Sequence, residues 1–260
     1  DINPETRNIF LIGDAGKTED DGTTPIALRA MQENFSKAGE EDLLMFLGDN
    51  VYPKGIPTEE GPKTEAAKKV IQFQIDAAKT FPGRVIFIPG NHDWYNGIEG
   101  LREQEKIVNK ALGKNTFLPK RGCAFRRVKV SDDIVLLIVD SQWYITNWNR
   151  HPKINENCKI KSRSLFLEEF RSEIKKARGK TTLVAIHNPV FSNGSHAEQY
   201  SFVDYLKPLP VLGSLKNIIR STSGISHADM SNHFYNELRK NLIAAAQHND
   251  NVIFLSGHDH

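Results

Sequence analysis

Five stretches of this chain end in side chains that bind metals or move protons: Asp14, Asp49, Asn91-His92-Asp93, His187 and His258-Asp259-His260. Carboxylate oxygen, imidazole nitrogen and amide oxygen, with no thiolate among them, make a hard-to-borderline donor set. It suits Fe, Zn or Mn rather than a cysteine-rich structural zinc site. One Asp or His after a strand is ordinarily a helix cap or a satisfied polar group. Five at equivalent places imply a shared site, and so many donors imply two metals with one bridging carboxylate.

The segments that must position these side chains are short and apolar: Ile9–Gly13, Leu43–Gly48, Val85–Gly90, Thr182–His187 and Val252–Gly257, with Ile134–Val139 as a sixth. Nearly continuous apolar runs without alternation predict strands covered on both faces. Helices are expected between them, giving an α/β fold with largely parallel sheets flanked by helices. In such sheets ligands bind at the carboxyl ends of the strands, where all five polar endings lie.

The first helix is expected to start with Thr24 as N-cap and Pro25 at the first position, bury Ile26, Ala30, Met31 and Phe35, and stop before Gly39. Further helices are predicted over Glu65–Lys79, Ile98–Leu112, Leu165–Ala177 with Ser164 as cap, and Asn232–Gln247. Pro189–Ser231, rich in Pro, Gly, Ser and Asn, reads as a long ordered insertion.

At 260 residues, with 39% hydrophobic and 25% charged residues, the chain has the composition of one folded domain. Its formal charge of +2 and its isoelectric point near 8.4 fall short of a nucleic-acid footprint, so no specific nucleic-acid partner is expected. Apolar runs are far below the ~20 residues that span a bilayer, so no membrane contact is expected from this segment. Neither a Gly-x-Gly-x-x-Gly turn nor a P-loop follows the first strand, which argues against a nucleotide-binding Rossmann domain.

The residues resemble the calcineurin-like metallophosphoesterases through Gly13-Asp14-Ala15-Gly16, Gly48-Asp49-Asn50-Val51-Tyr52, Gly90-Asn91-His92-Asp93, Val184-Ala185-Ile186-His187 and Gly257-His258-Asp259-His260, all in the family's order. The resemblance spans the chain and implies a four-layer α/β/β/α sandwich. By it, Asp14, Asp49, Tyr52 and His260 hold metal one, and Asp49 bridges to metal two with Asn91, His187 and His258. Many relatives carry Asp-x-His in the first block, where this chain has Gly16. Tyr52 stands where the purple acid phosphatases supply a phenolate, so the resemblance extends to that branch. A phenolate favours the highest local charge, hence Fe(III) at site one with Fe, Zn or Mn at site two.

The implied activity is hydrolysis of a small phosphate ester, foremost a phosphomonoester. Two cations ~3.5–4 Å apart would polarise the phosphoryl group and lower the pKa of a water, so that hydroxide attacks in line. His92 would steady the phosphoryl charge or protonate the leaving oxygen, with Asp93 orienting its ring, and His196 resembles a second substrate-side histidine. A diesterase or nucleotide pyrophosphatase on the same metals, or an inactive metal-binding interaction module, are the competing expectations. Trp94, Tyr95, Trp143, Tyr144 and Trp148 follow strand ends and either stack on a leaving group or pack in the core.

Cys123 and Cys158 read equally as a bridge or as reduced core thiols from the residues alone. The resemblance to extracytoplasmic acid phosphatases favours the bridge and an extracytoplasmic location. Because family members continue past the last block, residues 1–260 are expected to be a single metallophosphoesterase domain cut short at its C-terminal end from a longer chain, and the missing region could add a membrane contact.

Overall fold

The computed structural model describes residues 7–18, 22–191 and 233–258. Among them lie strands β1 (Ile9–Ile12), β2 (Leu43–Phe46), β3 (Arg84–Phe87), β4 (Phe125–Lys129), β5 (Ile134–Val139), β6 (Thr181–Ile186) and β7 (Val252–Leu255). The helices are α1 (Ile26–Glu33), α2 (Pro62–Lys79), α3 (Gly97–Leu112), α4 (Ser141–Ile145), α5 (Arg163–Lys176) and α6 (His233–Ala246). Parallel strands form one sheet in the order β1-β2-β3; in the other, β4-β5-β6-β7, only the β4–β5 pair is antiparallel.

Side chains alternate across each strand, so each sheet has two faces to bury. Leu43, Met45 and Ile86 from the first sheet meet Leu136, Ile138 and Leu183 from the second in one apolar layer. On the outer faces, Leu44, Phe46 and Phe87 pack with Leu28, Ile71 and Ile75 of α1 and α2. Val135, Leu137 and Val184 pack with Phe166 of α5 and Leu238 of α6. The result is the expected stack of helix, sheet, sheet and helix.

Several local expectations are corrected. β1 and β7 are edge strands in the described sheets, and they leave Leu11 43% and Ile253 50% exposed rather than covered on both faces. Pro25, not Thr24, precedes the first helical residue, and Ile26 and Ala30 face solvent while Leu28 and Phe35 carry the burial. Ser162, not Ser164, caps α5, its hydroxyl accepting the Leu165 amide at 3.2 Å. Strand β4 escaped the sequence because an edge strand carrying Arg126, Arg127 and Lys129 is not an apolar run; those charges also deter edge-to-edge pairing. Cys123 and Cys158 form a disulfide. Residues 192–231 of the expected insertion lie outside the described residues.

Candidate metal centre

Five strands deliver the donors. Asp14 follows β1, Asp49 follows β2, Asn91 follows β3, His187 follows β6 and His258 follows β7. The ends crowd together: a Cβ on Gly48, whose φ is 94°, would stand 2.6 Å from His187 Nδ1 and 2.8 Å from the Gly90 nitrogen. Glycine is thus required there both for its dihedral and for its lack of a side chain. Asp14, Asp49 and His258 themselves adopt φ of 58°, 53° and 77°. Each such residue costs about 1–3 kcal/mol, a strain that clusters at functional sites.

Asp49 joins two groups of donors. Its Oδ2 accepts from the Tyr52 hydroxyl at 3.0 Å, and the same hydroxyl lies 3.1 Å from Asp14 Oδ1. Its Oδ1 lies 3.4 Å from His187 Nε2 and accepts the His92 amide at 2.9 Å. His187 Nε2 is also 3.1 Å from Asn91 Oδ1 and 3.2 Å from His258 Nδ1. Ligand atoms of Asp49, His187 and His258 lie within 4.8 Å of one another, the one such group found among the described residues. His258 is tied back to Asp14, whose Oδ2 accepts its backbone N–H at 2.8 Å.

This donor set fits cations. His187 Nδ1 faces the Leu47 carbonyl at 2.8 Å and must donate to it, so Nε2 is the ring atom left to face a carboxylate, an amide oxygen and another imidazole, where a cation can take the place of its proton. Burial opposes a proton there, but Asp49 overrides it and pushes the His187 pKa up to about 9. Asp49 is 2% exposed, and burial alone would raise its pKa; His187 and His92 instead hold it below the usual carboxylate range. Tyr52 is driven the other way, above an ordinary phenol, by burial and by the Asp49 and Asp14 charges. A phenolate at that place requires a strong positive charge beside it.

Tyr52 and Gly16 are linked through the backbone. The Tyr52 amide donates to the Gly16 carbonyl at 2.9 Å, and a Cβ on Gly16 would lie 2.5 Å from main-chain atoms of Asp49, Asn50 and Val51. The backbone leaves no room for a side chain at Gly16, and the Tyr52 hydroxyl reaches the Asp14 and Asp49 carboxylates from the second loop.

Around this centre His92 and Asp93 have different partners. The His92 ring is held by Pro53, whose carbonyl lies 2.6 Å from Nδ1, and is flanked by Tyr52 at 4.3 Å between ring centres. Asp93 is buried and accepts from the Gly90, Asn50 and Val51 amides and from Gln104 Nε2. Burial and the Asp49 charge push its pKa upward. It fastens the second and third loops to each other, because a short-range acceptor is what their converging N–H groups lack. Gln104 of α3 and Gln74 of α2, which donates to the Asn50 carbonyl at 2.6 Å, complete this support. Sequence reading missed both, since a glutamine in an amphipathic helix carries no signal of its buried partner.

Asp140 was also missed, although it directly follows β5. Its Oδ1 accepts the Trp143 amide at 3.0 Å, capping α4, and its Oδ2 accepts Trp94 Nε1 at 3.0 Å. Burial pushes its pKa up to about 7 despite those donors. A carboxyl raised above its unfolded value of ~3.9 contributes most below that value and loses its contribution as pH rises to the folded one. Relative to Asp140→Asn, the wild type should therefore lose stability between about pH 4 and 7 and hold a constant difference above. Urea midpoints of both proteins across that range check this, and parallel curves would refute it.

Asp14, Asp49, Tyr52, Asn91, His187 and His258 lie close together in space, and His92 stands beside them; His196 and His260 lie outside the described residues. Of the aromatic candidates, Trp94, Trp143 and Tyr144 are fully buried, Trp148 partly so, and Tyr95 is 48% exposed. A model of the calcineurin-like phosphoesterase family matches residues 7–260. Among curated proteins the chain has no match.

Proposed function

The chain belongs to the calcineurin-like phosphoesterases, and from that premise we propose that it is a phosphomonoesterase of the purple acid phosphatase type, with a Tyr52 phenolate on its first metal. One observation carries the proposal: the Tyr52 hydroxyl sits 3.1 Å from Asp14 and 3.0 Å from Asp49, beside a Gly16 that excludes the alternative ligand. Asp14, Asp49, Tyr52 and His260 would hold Fe(III), and Asp49, Asn91, His187 and His258 would hold Fe, Zn or Mn. When bound, the two cations polarise the phosphoryl oxygens and lower the pKa of a water.

The chain supplies placement and proton handling. With Nδ1 committed to the Pro53 carbonyl, His92 has Nε2 to offer the substrate, 3.9 Å from Asp49 Oδ2. From there a protonated ring donates to the leaving oxygen, and a neutral one accepts. His196 serves as a second donor on the substrate side. The Cys123–Cys158 bridge supports an extracytoplasmic site of action, since such bonds persist in oxidising compartments. No helix among the described residues is long and apolar enough to cross a membrane.

Iron-loaded protein should show a visible charge-transfer band that Tyr52→Phe abolishes. It should also cleave 4-nitrophenyl phosphate about tenfold or more faster than the bis ester, a difference of about 1.4 kcal/mol in the barrier. A band that survives in Tyr52→Phe would remove the phenolate. Faster cleavage of the diester would move the protein to the diesterases.

A further inference from the structure

Asn91 presents a problem that its own loop does not solve. Its amide has an oxygen that binds cations and an NH2 that repels them, and the two differ by a half-turn of one bond. The oxygen faces the centre, 3.1 Å from His187 Nε2, and the side chain is buried. In that orientation two N–H groups point away from the metals and need an acceptor, because a buried donor without one is costly. Tyr95 provides it: the Asn91 Nδ2 donates to the Tyr95 hydroxyl at 2.7 Å.

The pairing follows from local structure. Residues 92–94 form a short 3-10 turn, and the Tyr95 amide closes it on the His92 carbonyl at 3.3 Å. This tight turn, with about three residues per turn, keeps Tyr95 close to Asn91 in space, within reach of its amide. The same ring stands 4.8 Å from the His92 ring, which also has Tyr52 as a neighbour at 4.3 Å. Tyr95 therefore touches a metal ligand through its oxygen and the substrate-side histidine through its ring, while remaining exposed enough to be replaced without opening the core.

We infer that Tyr95 is a positioning residue of the second metal site: its hydroxyl keeps the Asn91 oxygen turned inward, and its ring limits the swing of His92. The inference rests on the dinuclear reading above and extends it by a residue that is not itself a ligand. Partners of this kind, one shell behind the ligands, change metal affinity by about 10–100-fold when removed.

Zn(II) is titrated against a chromogenic chelator into the iron-loaded wild type, Tyr95→Phe and Tyr95→Leu. Tyr95→Phe, which keeps the ring and loses the hydroxyl, should bind the second equivalent about 10–100-fold more weakly. Its visible iron band and the melting temperature of its metal-free form should be unchanged. Tyr95→Leu, which loses both, should show the same affinity loss and in addition a lowered kcat at saturating zinc. Unchanged zinc affinity in Tyr95→Phe would overturn the inference, and so would an equal loss of both metals, which would mark a general disturbance of the loop. Absence of the iron band in the wild type would instead fail the phenolate proposal while leaving the second-equivalent zinc comparison intact.

Discussion

Asp49→Asn should reduce turnover by at least ~10³-fold, about 4 kcal/mol of transition-state stabilisation. The wild-type carboxylate serves both donor groups, Oδ2 toward Tyr52 at 3.0 Å and Oδ1 toward His187 at 3.4 Å. An amide has one oxygen, so the variant can serve only one group and turns N–H toward the other. It also loses the negative charge that holds the His187 pKa up. Metal content should fall below two per chain while the circular dichroism of the fold stays unchanged. Two bound metals with turnover within tenfold of wild type would show that Asp49 does not bridge.

Placing a side chain on Gly16 should be nearly as damaging, although Gly16 binds nothing. Its missing Cβ would stand 2.5 Å from the Asn50 carbonyl carbon, the Asp49 oxygen and the Val51 nitrogen, all main-chain atoms that no rotamer change can move. The two loops would separate, and the Tyr52 hydroxyl would leave the Asp14 carboxylate. Gly16→Ala should cost about 3 kcal/mol, the upper end of overpacking, and should remove the iron band. Gly16→His, which puts an imidazole at the same crowded place, should fare no better. Tighter metal binding with an unchanged melting temperature in Gly16→His would show that the loop accommodates a ring there.

What was legible in the sequence and what was not divides along physical lines. Strands β2, β5 and β6 are buried on both faces and therefore appear as uninterrupted apolar runs, which periodicity detects. An edge strand such as β4 mixes Arg126 and Arg127 with Phe125 and Val128, and its pairing with β5 depends on a partner that no local window contains. The donors were readable because each follows its strand in a motif. Their neighbours were not: whether Asp93 meets His92 or a set of backbone amides depends on how two loops fold over each other. Ile26 shows the same limit in a helix, since the face that meets the core is set by where α1 begins, and Leu28 takes the buried position.

The donors also straddle a division in the molecule. Asp14, Asp49 and Asn91 extend from the first sheet, His187 and His258 from the second, and the sheets meet through the layer of Met45, Ile86, Ile138 and Leu183. The centre is thus a rivet through a seam between two plates. Ions held there resist sliding of one plate on the other and add RT ln(1 + [M]/Kd) to stability, about 2.7 kcal/mol at a hundredfold excess over Kd. The spacing of the rivet's two halves is set by the thickness of the filling between the plates. Core volume at Met45 or Ile138 therefore acts as a shim on the catalytic geometry, remote from any atom of the substrate.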